Sequence, residues 1–176
     1  MPRLRAGLFK KMKRLRKYFL VLLLLATAQL AVAQRQINIA DPRLDFTLTD
    51  VNGNPVTLSS MKGKVFLLDF WASWCAPCRY SNKELVKIYS KYKDKGFEIL
   101  GVSLDDNFKA WKRAIKRDRL TWKQVNDPNG WDAQSAIQWN VIAIPSSFLI
   151  DKDGNVVAID PEKGELENKL RQLLGL

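Results

Sequence analysis

The sequence predicts an α/β fold: a mixed sheet flanked by helices on both faces, with an N-terminal β-hairpin extension. Three observations carry that reading. Apolar strand-like runs alternate with helix-period segments, an order that implies parallel strands joined by right-handed crossovers. Two stretches of turn chemistry, Asp50-Val51-Asn52-Gly53-Asn54 and Asp151-Lys152-Asp153-Gly154-Asn155, each separate two strand-like runs and so read as hairpins. The chain then closes on a helix with one apolar face, the kind of element that covers a sheet.

The elements follow in order. Asp45-Phe46-Thr47-Leu48-Thr49 alternates, and Val56-Thr57-Leu58 resumes after the turn. Val65-Phe66-Leu67-Leu68-Asp69-Phe70 is a buried strand. The helix after it shows Leu85, Ile88, Tyr89 and Tyr92 at helical spacing and stops at Gly96. Phe97 to Leu104 is a second buried strand. Asp105-Asp106-Asn107 caps a helix with Phe108, Trp111, Ala114 and Ile115 on one face. Trp122 to Val125 reads as a short strand, and Trp131 to Trp139 as a short helix after a loop. Strands at 146–150 and 156–159 and a helix over 163–174, with Leu166, Leu170, Leu173 and Leu174 aligned, complete the pattern. Trp111, Trp122, Trp131 and Trp139 are counted as core.

The chain has 176 residues and a formal charge of +11, which invites a nucleic-acid reading. The distribution removes it. Eight of the 29 bases precede residue 18, no acid occurs before Asp41, and the remainder carries 21 bases against 18 acids. The second helix shows Lys109, Lys112, Arg113, Lys116 and Arg117 on its polar side. Such a face is usually just solvated, although an acidic partner or a membrane surface would also fit it.

The basic N-terminus, the apolar stretch Tyr18 to Val32 and the small residues of Ala31-Val32-Ala33 read as a secretory signal over 1–33, cleaved after Ala33. The competing reading is an uncleaved anchor, but the apolar stretch is shorter than the roughly 20 residues that span a bilayer. Either way the positive end stays in the cytoplasm, so the domain is exported: periplasmic, or on the outer face of the inner membrane. Residues 34–43 are polar and aperiodic and read as a linker, with the domain spanning 44–176.

Chemistry concentrates in Trp74-Cys75-Ala76-Pro77-Cys78, which holds both cysteines of a chain without histidine. A Cys-x-x-Cys pair is either half of a metal site or a redox dithiol. A zinc site needs about four ligands, and no histidine or third cysteine exists to complete one. The pair sits where a buried strand gives way to a helix. Unpaired N–H groups and the positive end of the macrodipole at that place stabilise a thiolate, lowering a thiol pKa from its free value of about 8.5. Cys75 is the expected exposed nucleophile, Cys78 the shielded resolving thiol, and Pro77 suits the first turn.

Asp69 through Arg79 (Asp69-Phe70-Trp71-Ala72-Ser73-Trp74-Cys75-Ala76-Pro77-Cys78-Arg79), together with Asn140-Val141-Ile142-Ala143-Ile144-Pro145-Ser146-Ser147-Phe148-Leu149-Ile150, resembles the thioredoxin superfamily. It is most similar to exported thiol–disulfide oxidoreductases of the TlpA/ResA type, from about residue 41 to the C-terminus. The resemblance implies a thioredoxin-like fold, a cis Ile144–Pro145 bond, and Asp69 buried behind Cys78. A carboxylate in a dry site has a raised pKa and can take the Cys78 proton. Asp69 joins Cys75 and Cys78 as catalytic, and Trp74, Ala76, Pro77, Ile144 and Pro145 are the expected substrate contacts, residue 144 offering backbone groups to an extended peptide. Gly101 stands where thioredoxins carry a lysine near the buried acid.

The implied activity is exchange with protein thiols and disulfides, in the reducing direction because Ala-Pro brings no charge to the thiolate. Apocytochrome cysteines or misoxidised exported proteins are the implied substrates. No metal or organic cofactor is expected beyond the redox-active Cys75–Cys78 disulfide, and a membrane protein is the expected electron donor. Two rivals differ in class. A peroxidase of the peroxiredoxin type needs Thr or Ser three residues before the nucleophile and Pro four before that, where Ala72 and Leu68 stand. A copper chaperone would use the soft thiolates, but its relatives add a histidine, which this chain lacks.

Overall fold

The computed structural model describes residues 37–176; the leader, its cleavage site and the first linker residues lie outside the described residues. Seven strands form one sheet: β1 (Thr47–Asp50), β2 (Pro55–Thr57), β3 (Val65–Trp71), β4 (Phe97–Ser103), β5 (Lys123–Asn126), β6 (Ser146–Ile150) and β7 (Val156–Ile159). Their order is β2-β1-β5-β4-β3-β6-β7. The centre, β5-β4-β3, is parallel; the hairpin β1–β2 adds antiparallel strands at one side and β6–β7 at the other. Four α-helices accompany them: α1 (Ala76–Tyr92), α2 (Phe108–Asp118), α3 (Gln134–Gln138) and α4 (Lys163–Leu174).

Every residue of β3 is buried, which is why this strand reads as an apolar run interrupted only by Asp69. Alternate residues face opposite sides of the sheet. Phe66, Leu68 and Phe70 join a core with Val102, Phe148, Ala136 and Trp139, under α3. Val65, Leu67 and Trp71 join the other, with Leu85 and Ile88 of α1, Trp111 of α2 and Leu166 and Leu170 of α4. Helices therefore cover both faces, as the sequence predicts.

Three local expectations are corrected. The linker is partly structured: Ile39 is buried in the core, and its N–H donates to Gly154 O while Val156 N–H donates to Ile37 O. Two isoleucines, Ile37 and Ile39, in a polar run are too few to announce a strand. The helix over Trp131–Trp139 is split, with a 3-10 turn at Gly130–Asp132, a break at Ala133 (ψ 121°) and then α3. Buried Asp127 restarts it by accepting from the Ser135 N–H and hydroxyl. Trp131, counted as core, and Phe108, placed on the apolar face of its helix, are exposed.

Candidate active site

β3 delivers the chain to the sheet's edge of chemistry, and Ala72–Trp74 turns it into α1. Cys75 is the N-cap of α1, and its Sγ accepts the Cys78 N–H at 3.1 Å. Cys75 and Cys78 are joined as a disulfide. Cys75, expected to be exposed, is 6% accessible, and Cys78 1%. Cys75 Sγ lies 3.7 Å from the Ile144 carbonyl oxygen, so the loop before β6 closes over it. The Ile144–Pro145 peptide is cis. Pro77 occupies the first helical turn and Ala76 its first position.

The turn before the dithiol is pinned by groups that sequence reasoning missed. Asp105, read only as part of a helix cap, is buried at the end of β4 and accepts from the Ser73 N–H (2.8 Å), the Ser73 hydroxyl (2.6 Å) and the Ser103 hydroxyl (2.7 Å). Asn107, not Asp105, caps α2 by accepting from the Ala110 N–H. The Arg79 guanidinium donates to both carboxylate oxygens of Asp118 on α2 and, at 3.2 Å, to Ser73 O. The Asp118 hydrogen bond holds the Arg79 pKa above its ordinary value. Strand β4, α1 and α2 thus all fix one short turn.

Asp69 is 3% accessible and points to the same face of β3 as Trp71. Burial, helped by the negative charge of Asp160, pushes its carboxyl up to about 7. Asp69 is in register with Gly101 on β4 and Ser147 on β6, and Gly101 with Gln124 on β5. The buried Gln124 side chain leans across Gly101: an added Cβ there would sit 2.4 Å from Gln124 Oε1 and 2.7 Å from Nε2. Trp71 Nε1 donates to that Oε1 at 3.0 Å, which fixes the amide's orientation and leaves Nε2 without a partner. A neutral amide, not a lysine, therefore occupies the space beside the residue opposite Asp69. Gly101→Ala is expected to cost about 1–3 kcal/mol in urea unfolding, because Gln124 is held and cannot swing clear. Combining it with Gln124→Ala should recover part of that loss, a non-additivity that reports the contact.

Around the disulfide the surface is apolar on one side. Trp74 is 51% accessible and packs edge-on against Trp131, 52% accessible, with ring centroids 6.2 Å apart. Ile142, 86% accessible, belongs to the loop that carries Pro145. Sequence alone gives a single aromatic such as Trp131 no mark of rim or core.

A mixed sheet of this topology with a Cys-x-x-Cys pair at the start of α1 and a cis-proline loop against it defines a thiol–disulfide oxidoreductase of thioredoxin-like fold. The pattern of the AhpC/TSA family matches residues 39–159, and the chain belongs to that family. It is similar to the thiol–disulfide oxidoreductase ResA of Bacillus thuringiensis subsp. konkukian, 33% identical over 143 residues that cover 80% of this chain and 81% of the relative. Among solved structures it is similar to a thiol–disulfide oxidoreductase from Bacteroides fragilis (36% identity, 73% of this chain and 96% of that one, TM-score 0.69). It is also similar to the thioredoxin domain of a Bacteroides vulgatus thiol–disulfide oxidoreductase (35% identity, 74% and 93%, TM-score 0.68). Among the described residues no helix is long and apolar enough to cross a membrane.

Proposed function

We propose that the protein reduces disulfides of exported proteins in the bacterial periplasm. The observation that carries the reading is Cys75 Sγ at the mouth of α1, accepting the Cys78 N–H beside the Ile144 carbonyl. In the reduced protein the Cys75 thiolate attacks one sulfur of a substrate disulfide, expels the other as a thiolate and forms a mixed disulfide. Cys78 then gives its proton to the Asp69 carboxylate and attacks Cys75 Sγ. The substrate leaves as a dithiol, and the 75–78 bond holds the oxidising equivalents. The cis-proline loop supports an extended substrate next to the sulfur, with Ile144 and Pro145 against one side and Trp74, Ala76 and Pro77 against the other.

The reducing direction is supported by Ala76-Pro77, which brings no charge that would favour the thiolate over the disulfide. Turnover then needs an electron donor, and a membrane protein carrying electrons from the cytoplasm meets that need. Apocytochrome c cysteines and misoxidised exported proteins are the substrate classes that fit. Replacing Cys78 with serine removes the resolving thiol only. Cys78→Ser should accumulate mixed disulfides through Cys75 in the periplasm, identifiable by mass spectrometry after non-reducing separation. A variant that captures nothing, while the unaltered protein fails to reduce insulin with a chemical donor, would remove the assignment.

A further inference from the structure

Two clefts open beside residues that flank the dithiol. One, about 630 Å³, is lined by Ser73, Arg79, Arg113, Lys116 and Arg117 with Ala110 and Ala114 at its base. The other, about 390 Å³, is lined by Ala76, Arg79, Tyr80, Lys83, Arg117 and Asp118. Arg79 and Arg117 line both, which makes the pair one basic face along α2, with Ser73 and Ala76, on either side of Trp74-Cys75, at its dithiol end. Its charge is one-sided. Asp118 is its single lining acid, and that carboxylate is taken up by Arg79 and Asn82. Lys83, Arg113, Lys116 and Arg117 are exposed at its walls and form no ion pair among the described residues, and only Arg117 of the four acts on Asp118, helping to lower its pKa. The chain after its leader carries 21 bases against 18 acids, whereas α2 alone carries five bases against one acid.

We infer that this cleft-bearing basic face is a docking groove for an acidic polypeptide segment adjoining the reactive cysteine of the substrate. The inference rests on the reading of Cys75 as nucleophile and adds the chemistry of its partner. Low-dielectric walls around uncompensated charge concentrate the field at the groove, which raises the encounter rate of an oppositely charged segment and suppresses like-charged ones. A basic face that merely keeps a helix solvated needs no concavity and no approach to the sulfur; this one has both.

The test uses three synthetic peptides, each with one cysteine carried as a mixed disulfide with thionitrobenzoate and flanked by glutamates, glutamines or lysines. Attack by reduced Cys75 releases one coloured aryl thiolate per peptide joined to the protein. At low ionic strength the glutamate peptide should react ~10-fold faster than the lysine peptide, with the gap narrowing as salt is added. The triple variant Arg113→Gln, Lys116→Gln, Arg117→Gln should lose the preference while keeping the glutamine-peptide rate. Equal rates across the three peptides in the unaltered protein, or a preference that survives the triple change, would overturn the groove. If instead those three cations bind vesicles of anionic phosphatidylglycerol and show no peptide preference, the face serves a membrane surface and the inference also falls. Failure of even the glutamine peptide to react would strike the nucleophile reading itself, which keeps the two failures distinct.

Discussion

Cys75→Ser is expected to lower disulfide exchange by more than ~10³-fold, because the sulfur that forms the mixed disulfide is gone and a serine hydroxyl at the same place stays protonated. Stability should change far less. The 75–78 bond has a sequence separation of 3, and closing so small a ring restricts little of the unfolded chain, about 2 kcal/mol on the loop-entropy relation. A large activity loss with a small shift in the urea midpoint separates a reactive dithiol from a staple, for which the two would move together. Insulin reduction with a chemical donor supplies the first measurement and denaturant unfolding the second. Iodoacetamide alkylation of the reduced protein tests the cause. Cys75 receives the Cys78 N–H and caps α1, so its alkylation should rise with pH well before that of a free thiol, near 8.5. An alkylation profile that follows a free thiol would show that the helix start does not activate the sulfur.

Much of this site is legible in the amino-acid sequence. The central strands are long apolar runs because they are covered on both faces, so β3 and β4 declare themselves, and Asp69 stands out as the one charge within β3. A helix start is marked by composition too, so the place of Cys75 follows from where β3 stops and helical spacing begins. What stays hidden is long-range. Ser73 and Asp105 are 32 residues apart and meet only because β3 and β4 are parallel neighbours with their loops at one end. Gln124 lies on a four-residue strand whose pattern is too short to show which face is buried. Its role comes from Gly101, whose missing side chain is visible in sequence but whose neighbour is not. Trp131 faces outward to Trp74 across 57 positions of chain, a pairing that no local periodicity records.

Asp69→Asn is expected to make the protein more stable and less competent at once. Burial first, and Asp160 second, raise the Asp69 carboxyl from its unfolded value of 3.8 to about 7. Folding therefore takes up a proton between those pH values. The sign follows: stability is fully present below 3.8, falls as pH rises toward 7, and is lost above it, where the folded state must hold a carboxylate in a dry site. At 1.36 kcal/mol per pKa unit the loss at pH 8 is about 4 kcal/mol, and asparagine removes it. The variant should match the parent near pH 4 and exceed it by up to that amount at pH 8 in urea unfolding. In the proposed mechanism the same change takes away the proton acceptor for Cys78. Release of a peptide from its Cys75 mixed disulfide should slow by ~10²-fold and lose the rise through pH 7 that an ionising Asp69 gives the parent. A stability gap that stays constant from pH 4 to 8 would show that Asp69 ionises as freely in the folded protein as in the unfolded chain. A release rate with the parent's pH profile would show that another base serves Cys78. The opposed directions are what identify a retained cost: a charge kept in a buried strand at the expense of stability has its reason in the second half of the exchange reaction.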